Sequence, residues 1–222
     1  MPEKIPWPFT RLYNRYPNRI FAKWFRRIAA DIKDRTISGT IVDIGTGPGR
    51  LPIEIAKQVE NVKVFGMDLS EDMIKIASKN AEKAGVGDRV EFRVRSAYDT
   101  GFENNSIDLV VSTGVLHHLS EPLNAFNEMY RILKRGGEAW LFDGRKDVTR
   151  AEFEETVRRL GIEEDIPLPL TIMERIWPRI HVGFKTEVYY SGKIGQAIRE
   201  SLFEKYNVIA EGAFIRIELR KT

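Results

Sequence analysis

Short apolar runs alternate with amphipathic stretches through the middle of the chain. The runs favour β-strands over Ile41–Ile44, Val62–Met67, Val90–Val94, Ile107–Val111 and Ala139–Phe142. Apolar residues at helical spacing between them predict helices over Leu51–Val59, from a cap at Ser70 to Gly85, and from Ser120 to a stop at Gly136-Gly137. Such alternation is typical of right-handed crossovers and a mostly parallel, doubly wound α/β sheet with helices on both faces.

The flanking segments differ from this core. Apolar positions from Ile20 to Ile28 recur at three and four residues, which predicts a helix with one apolar face. The C-terminal third predicts helices over Thr149–Leu160 and Lys193–Phe203, then two strands within Val208–Leu219 around Glu211-Gly212. We expect a single domain over 1–222. It would consist of a lid or cap segment 1–35, a core 38–144, and a substrate-side insertion with a terminal hairpin over 145–222.

Composition excludes several kinds of chemistry. The 222 residues are 42% hydrophobic and 30% charged, which is typical of a soluble globular chain. The absence of cysteine excludes disulfides, thiolate metal sites and a cysteine nucleophile. With three histidines, we expect no metal site. No secretory signal or spanning segment is visible, which predicts a cytoplasmic protein.

Positive charge is concentrated at the N-terminus. Residues 1–35 carry nine Lys or Arg against three Asp or Glu, whereas the whole chain has a net charge of +3. Seven aromatic residues are interleaved with these charges. The segment is consistent with a lid with a solvated charged face, with an RNA contact, or with peripheral contact at an anionic membrane. These alternatives stay open at this point.

The stretch Asp43-Ile-Gly-Thr-Gly-Pro-Gly49 links a buried strand to a helix. Glycine permits a tight turn and lets a ligand approach the backbone. The spacing Gly45, Gly47, Gly49 differs from the G-x-G-x-x-G of dinucleotide sites, and Pro48 removes an N–H that a pyrophosphate would use. Asp68 ends the second predicted strand, where an acid can reach ribose hydroxyls.

Together with Asp108-Leu-Val-Val and Arg131-Ile-Leu-Lys-Arg-Gly-Gly, these motifs resemble class I S-adenosylmethionine-dependent methyltransferases of the ubiquinone/menaquinone-biosynthesis type. The resemblance covers roughly residues 38–144. It implies a seven-stranded sheet with an antiparallel last strand and S-adenosylmethionine as cofactor.

The resemblance also implies roles for individual residues. Asp43 would hold the glycine loop or the cofactor's amino group, and Gly45, Thr46, Gly47 and Gly49 would wrap its methionine part. Asp68 would bind the ribose and Leu69 would pack on adenine. Thr113 and Gly114 would flank the methionine carboxylate and the transferred methyl group. The family usually has Gly-Asp-Ala after the third strand, whereas this chain has Arg95-Ser96-Ala97, so we expect Ser96 and the Ala97 backbone to replace the acid.

His117 follows the fourth strand, in the loop that faces substrate in this fold, and is our candidate general base. The alternative is a ring that caps a helix or packs under the cofactor. Tyr13 or Tyr16 could contact the cofactor from the lid, or could instead staple the segment onto the sheet. Of the two, Tyr16 is our candidate cofactor contact.

The expected function is methyl transfer to a small-molecule or lipid-like acceptor. A non-catalytic S-adenosylmethionine-binding module and a dehydrogenase are alternatives. Ser112-Thr113-Gly114-Val115 stands where base-methylating relatives have Asn/Asp-Pro-Pro-aromatic, which argues against a nucleic-acid acceptor. The oligomeric state is not predicted.

Overall fold

The structure, a computed structural model, describes residues 19–35, 38–163 and 183–222, with Arg19 and Ile20 described as backbone only. Its strands are β1 Gly39–Ile44, β2 Val62–Asp68, β3 Val90–Val94, β4 Ile107–Thr113, β5 Leu133–Arg145, β6 Gly183–Phe184, β7 Lys205–Glu211 and β8 Phe214–Arg220. Its helices are α1 Arg19–Asp34, α2 Arg50–Gln58, α3 Glu71–Lys83, α4 Pro122–Ile132, α5 Arg150–Leu160, α6 Thr186–Tyr190 and α7 Lys193–Glu200, with a 3₁₀ turn at Leu116–His118.

The strands form one sheet in the order β3-β2-β1-β4-β5-β8-β7, and the two-residue β6 pairs with β5 beside this path. All the pairings among β1 to β6 are parallel, whereas β8 is antiparallel to both β5 and β7. The predicted doubly wound, mostly parallel sheet with an antiparallel last strand is therefore confirmed. The strand order reverses between β1 and β4, which is where ligands bind in open α/β sheets.

Two hydrophobic cores cover the two faces of the sheet. Helices α1, α2 and α5 pack on one face, and α4, α6 and α7 on the other. Successive residues of one strand contribute to opposite cores. In β4, Leu109 and Val111 belong to the first core and Val110 belongs to the second. Because both faces are covered, the central strands are continuous apolar runs.

Side-chain caps begin two of these helices. The Ser70 hydroxyl accepts a hydrogen bond from the Met73 N–H at the start of α3. Thr149 and Glu152 form a reciprocal capping box at the start of α5, and Gly161 ends that helix in a left-handed conformation. Both starts agree with the sequence prediction.

Several predicted boundaries are wrong. Helix α4 ends at Ile132 because Leu133 is already extended, so Gly136 and Gly137 lie inside β5 instead of ending the helix. A register shift between Ile107 and Leu109 lets β5 begin early. Helix α7 ends at Glu200, three residues before its predicted end, and β6 and α6 were not predicted.

The expectation that all of residues 1–35 form a lid is corrected for residues 19–34. Trp24, Ile28, Ala29 and Ile32 of α1 lie on one helix face and are buried in the first core. The Trp24 ring stacks on Phe214 with 4.2 Å between ring centroids. Helix α1 is therefore part of the fold, whereas the lid prediction for residues 1–18 lies outside the described residues.

We predict that Trp24→Ala lowers the free energy of unfolding by about 3–5 kcal/mol, because it removes a buried aromatic ring and leaves a cavity. Urea denaturation measures this loss. Arg27→Ala, on the exposed face of the same helix, is the matched control and should change stability by less than about 0.5 kcal/mol. Equal midpoints for Trp24→Ala and the wild type would contradict the core role of α1.

Candidate functional site

The carboxyl ends of β1, β2 and β4 meet at one edge of the sheet. Strand β1 lies between the other two, with Asp43 opposite Gly66 of β2 and Val111 of β4. The Ser112 hydroxyl donates to the Ile44 carbonyl oxygen at 2.8 Å, which ties β4 to the end of β1. The loop 45–49 therefore emerges from the most constrained strand of the sheet.

The glycines of this loop are required by conformation and by space. Gly45, Gly47 and Gly49 have φ angles of 74°, 52° and 77°, in the left-handed region. A Cβ at Gly45 would lie 2.2 Å from a Val115 methyl carbon, and one at Gly49 would lie 2.7 Å from the Phe92 ring. Both positions exclude any side chain.

Gly47 is the exception among the three. A Cβ built there would meet no atom within 4 Å, and the same holds for Gly114 after β4. Both residues are half-buried. The two glycines therefore border open space at the end of the sheet, a cradle that side chains would fill.

Asp68 holds the loop in place. Its Oδ2 accepts the Gly47 N–H at 2.9 Å, and its Oδ1 accepts the Ser70 N–H at 2.8 Å. The backbone of Met67 adds two bonds, because its carbonyl oxygen accepts the N–H groups of Gly45 and Thr46, each at 2.8 Å. The Asp68 carboxylate therefore ties the glycine loop to the start of α3.

Asp43 is buried without compensation. Its side chain is 1% exposed, and neither carboxylate oxygen has a hydrogen-bond partner. Burial raises the pKa of Asp43 to about 7, and the neighbouring Asp68 charge adds to the shift. The Thr46 hydroxyl lies close enough to lower the pKa, although it makes no well-formed hydrogen bond.

The remaining predicted cofactor residues surround the same edge. Leu69, Ser96, Ala97 and Thr113 are half-buried, and Thr113 ends β4. The Ser96 hydroxyl accepts the Tyr98 N–H at 3.2 Å, so it shapes its own turn. The structure thus brings together, at the ends of β1 to β4, every predicted cofactor residue except Tyr16, which lies outside the described residues.

His117 lies beside this edge and is paired with a carboxylate. Its Nδ1 is 2.9 Å and 3.0 Å from the two carboxylate oxygens of Asp143, and its backbone N–H donates to Asp143 Oδ2. The His117 Nε2 atom is buried and has no hydrogen-bond partner. The His118 ring packs against it with 4.0 Å between ring centroids.

The sequence analysis missed Asp143 and Tyr189. Asp143 is fully buried near the end of β5 and also accepts the Gly144 N–H at 2.8 Å. The hydroxyl of Tyr189, on α6, donates to the Gly144 carbonyl oxygen at 2.8 Å and accepts the Phe184 N–H. Burial and the Asp143 charge raise the pKa of Tyr189 well above its usual value. The one available signal was an acid within the apolar run Trp140-Leu-Phe-Asp143.

Within 19–35, 38–163 and 183–222, no three His, Asp or Glu side chains are grouped as metal ligands. In the same part of the chain, no helix has the length and apolar character needed to cross a bilayer.

Comparison with known proteins shows which family the sequence resembles. A family profile described as a methyltransferase domain matches residues 41–137. The demethylmenaquinone methyltransferase of Porphyromonas gingivalis is 30% identical over 111 residues, which is 50% of this chain and 45% of that protein. The ubiquinone/menaquinone biosynthesis C-methyltransferase of Geotalea daltonii is 26% identical over 148 residues, 64% of this chain and 63% of that protein. The matched regions thus span about half to two-thirds of these curated relatives.

A solved structure agrees over nearly the whole chain. It is a protein of Methanococcus maripaludis described as a candidate S-adenosylmethionine-dependent methyltransferase, with a TM-score of 0.70 and 26% identity. The alignment covers 96% of this chain and 92% of the other. Residues 41–137 thus belong to a methyltransferase domain family, and the chain as a whole is similar to class I S-adenosylmethionine-dependent methyltransferases. S-adenosylmethionine is the cofactor of this family.

The residues present fit that cofactor. S-adenosylmethionine carries an ammonium group and a positively charged sulfur, and Asp43 offers a buried carboxylate with no partner. The space beside Gly47 and Gly114 admits a ligand close to the backbone. In a methyltransferase of this class the uncompensated acid and the open cradle therefore have a common explanation.

We predict that Asp68→Ala weakens S-adenosylmethionine binding about 10–100-fold, because a charged acceptor of hydrogen bonds is worth about 1.5–3 kcal/mol. The variant should also lose some stability, since the N–H groups of Gly47 and Ser70 lose their acceptor. Calorimetric titration and thermal melting measure the two effects separately. Asp88→Ala, an exposed acid outside the site, is the control. Wild-type affinity in a folded Asp68→Ala variant would remove this residue from the site.

Asp43 makes stability depend on pH. Its folded pKa of about 7 lies above the ordinary 3.8, so the native state holds a proton that the unfolded state releases. The free energy of unfolding of the wild type should therefore fall as pH rises from about 4 to about 7, by at most ~4 kcal/mol.

Asp43→Asn should remove this contribution to the pH dependence. Urea denaturation of both proteins at several pH values measures it, and the variant should become the more stable one as pH increases. Parallel stability curves for the two proteins would show that Asp43 does not titrate in this range.

Proposed function

We propose that this protein transfers a methyl group from S-adenosylmethionine to a small, lipid-like acceptor of the quinone type. The uncompensated Asp43 carboxylate at the base of the glycine loop carries the cofactor part of the proposal. The names of the curated relatives, a demethylmenaquinone methyltransferase and a ubiquinone/menaquinone C-methyltransferase, support the acceptor class.

The glycine loop would hold the methionine part of the cofactor. Gly45, Thr46, Gly47 and Gly49 would wrap it, and Asp43 would accept from its ammonium group. An ammonium so placed neutralises a buried charge that is otherwise costly. Thr113 and Gly114, across the switch point, would flank the carboxylate and the methyl group to be transferred.

The second half of the site would hold the nucleoside. Asp68 would accept from the ribose hydroxyls while it keeps the Gly47 and Ser70 N–H groups in place. Leu69 would pack on adenine, and Ser96 with the Ala97 backbone would meet its edge. Tyr16 would reach the cofactor from the N-terminal segment, which lies outside the described residues.

When bound, S-adenosylmethionine supplies an electrophilic methyl carbon on a positively charged sulfur. The protein aligns the acceptor behind that carbon and keeps water away. An acceptor that carries a hydroxyl or an acidic C–H must also lose a proton, so a base is needed for these acceptors.

The His117–Asp143 pair is our proposed base. Asp143 accepts the Nδ1–H, which sets the tautomer with a lone pair on Nε2, the buried atom without a partner. As the acceptor's O–H or C–H bond breaks, its electron pair would form the new bond to the methyl carbon, while the methyl–sulfur bond would break and leave its electron pair on the now neutral sulfur. The proton would move to His117 Nε2.

Acceptor classes and the base can be tested together. The wild type is assayed with S-adenosylmethionine and a panel of quinols, phenols, amines and thiols. We expect transfer to quinols or phenols, and a reduction of kcat by about 10²–10⁴-fold in His117→Ala with unchanged cofactor affinity. His118→Ala, which changes the neighbouring ring and leaves the pair intact, should retain most activity.

The possible outcomes separate the hypotheses. Cofactor binding without transfer to any acceptor class favours a non-catalytic binding module. Full turnover by His117→Ala would show that the acceptor needs no base. Transfer confined to amines or thiols would overturn the quinone-type assignment.

A further inference from the structure

Strand β7 is an exposed edge of the sheet. Within the described residues it pairs only with β8, and five of its seven residues are exposed. Tyr206 is 40% exposed and Ile209 is 39% exposed, two of the largest apolar exposures in the described residues. The strand is seven residues long and has no register shift against β8. A regular edge without a bulge can form hydrogen bonds with another strand.

The pairing of β8 determines which backbone N–H and C=O groups of β7 face away from the sheet. Lys221 donates its N–H to Gly137 and accepts that of Gly136, so the backbone of residue 221 faces β5. Because backbone groups alternate along a strand, residues 214, 216, 218 and 220 face β7. Their partners in β7 are residues 211, 209, 207 and 205. Tyr206, Val208 and Ala210 therefore direct their N–H and C=O groups away from the sheet.

The side chains of this edge do little to prevent pairing. The segment Tyr206-Asn-Val-Ile-Ala210 has no charge, no proline and no glycine. Natural edges are usually blocked by charges, proline or bulges within the strand. Here the only charges are Lys205 at one end and Glu211 at the other. An unprotected edge of this composition offers a template for pairing with another strand.

We propose that this partner is a second copy of the chain, paired antiparallel through β7 about a two-fold axis at Val208. A two-fold axis requires antiparallel strands and places the same surface on both sides. With the axis at Val208, the outward groups of Tyr206, Val208 and Ala210 meet those of the partner subunit's Ala210, Val208 and Tyr206. The result is a continuous sheet across both subunits.

Charge favours this register. In this register Lys205 lies opposite Glu211 of the partner subunit, and the two-fold axis gives two such ion pairs. Arg159 holds Glu211 at 3.0 Å within its own subunit, so the carboxylate is already positioned. A shift by two residues would place Lys205 opposite an apolar side chain and lose both ion pairs.

The interface would leave the methyltransferase site open. Strands β1, β2 and β4, which carry the site, are separated from β7 by β5 and β8. An interface made of one strand pair buries little area, so we expect a weak dimer that forms at micromolar concentration.

Sedimentation velocity across the micromolar range tests the assembly. The wild type should shift from a 25.6 kDa monomer to twice that mass as concentration rises. Val208→Pro removes an N–H that faces outward, so β8 pairing is kept, and it should raise the dissociation constant about 10-fold or more. Val208→Thr keeps the N–H and the β-branched shape and should dimerise like the wild type. Circular dichroism and cofactor titration check that both variants are folded.

Cross-linking tests the register. The chain has no cysteine, so single-cysteine variants react at one place only. Val208→Cys should form a covalent dimer with a short bis-maleimide, because the two residues face each other across the axis. Lys205→Cys, far from its own copy, should not, whereas mixing Lys205→Cys with Glu211→Cys should. A wild type that stays monomeric throughout, or a folded Val208→Pro variant that dimerises like the wild type, overturns the proposal.

Discussion

One carboxylate connects the parts of the site. Asp68, at the end of β2, accepts the N–H of Gly47 in the loop after β1 and the N–H of Ser70 at the start of α3. The loop is thus held in part by the end of the neighbouring strand. Whatever binds there meets a loop that is already ordered.

Asp43, unlike Asp68, is a carboxylate without a hydrogen-bond partner. It lies one residue from the end of a strand that is hydrogen-bonded on both edges and covered on both faces, so water cannot reach it. A buried acid without a partner opposes folding. Asp43 lies beside the glycine loop, so this loss of folding free energy occurs at the proposed site of the cofactor's ammonium group.

Much of the fold was predictable because its signals are local. The apolar strands, the caps at Ser70 and Thr149, and the glycine spacing all appear within a few residues of the elements they define. The early start of β5 was not predictable, because it depends on the pairing of Ile107 with Leu133. The His117–Asp143 pair is 26 residues apart in sequence, and only the adjacency of β4 and β5 brings it together. The sequence suggested His117 by its loop position, whereas its partner Asp143 showed only as an acid within an apolar run.

The raised pKa of Asp43 has a consequence for calorimetry. Near neutral pH a fraction of the free protein holds a proton at this carboxyl. A cation that binds beside it favours the ionised form, so binding releases that proton to the buffer. The observed heat of cofactor binding then includes the heat of buffer protonation. Titrations in phosphate and in Tris would differ in enthalpy while agreeing in affinity, and the difference counts the protons that leave Asp43.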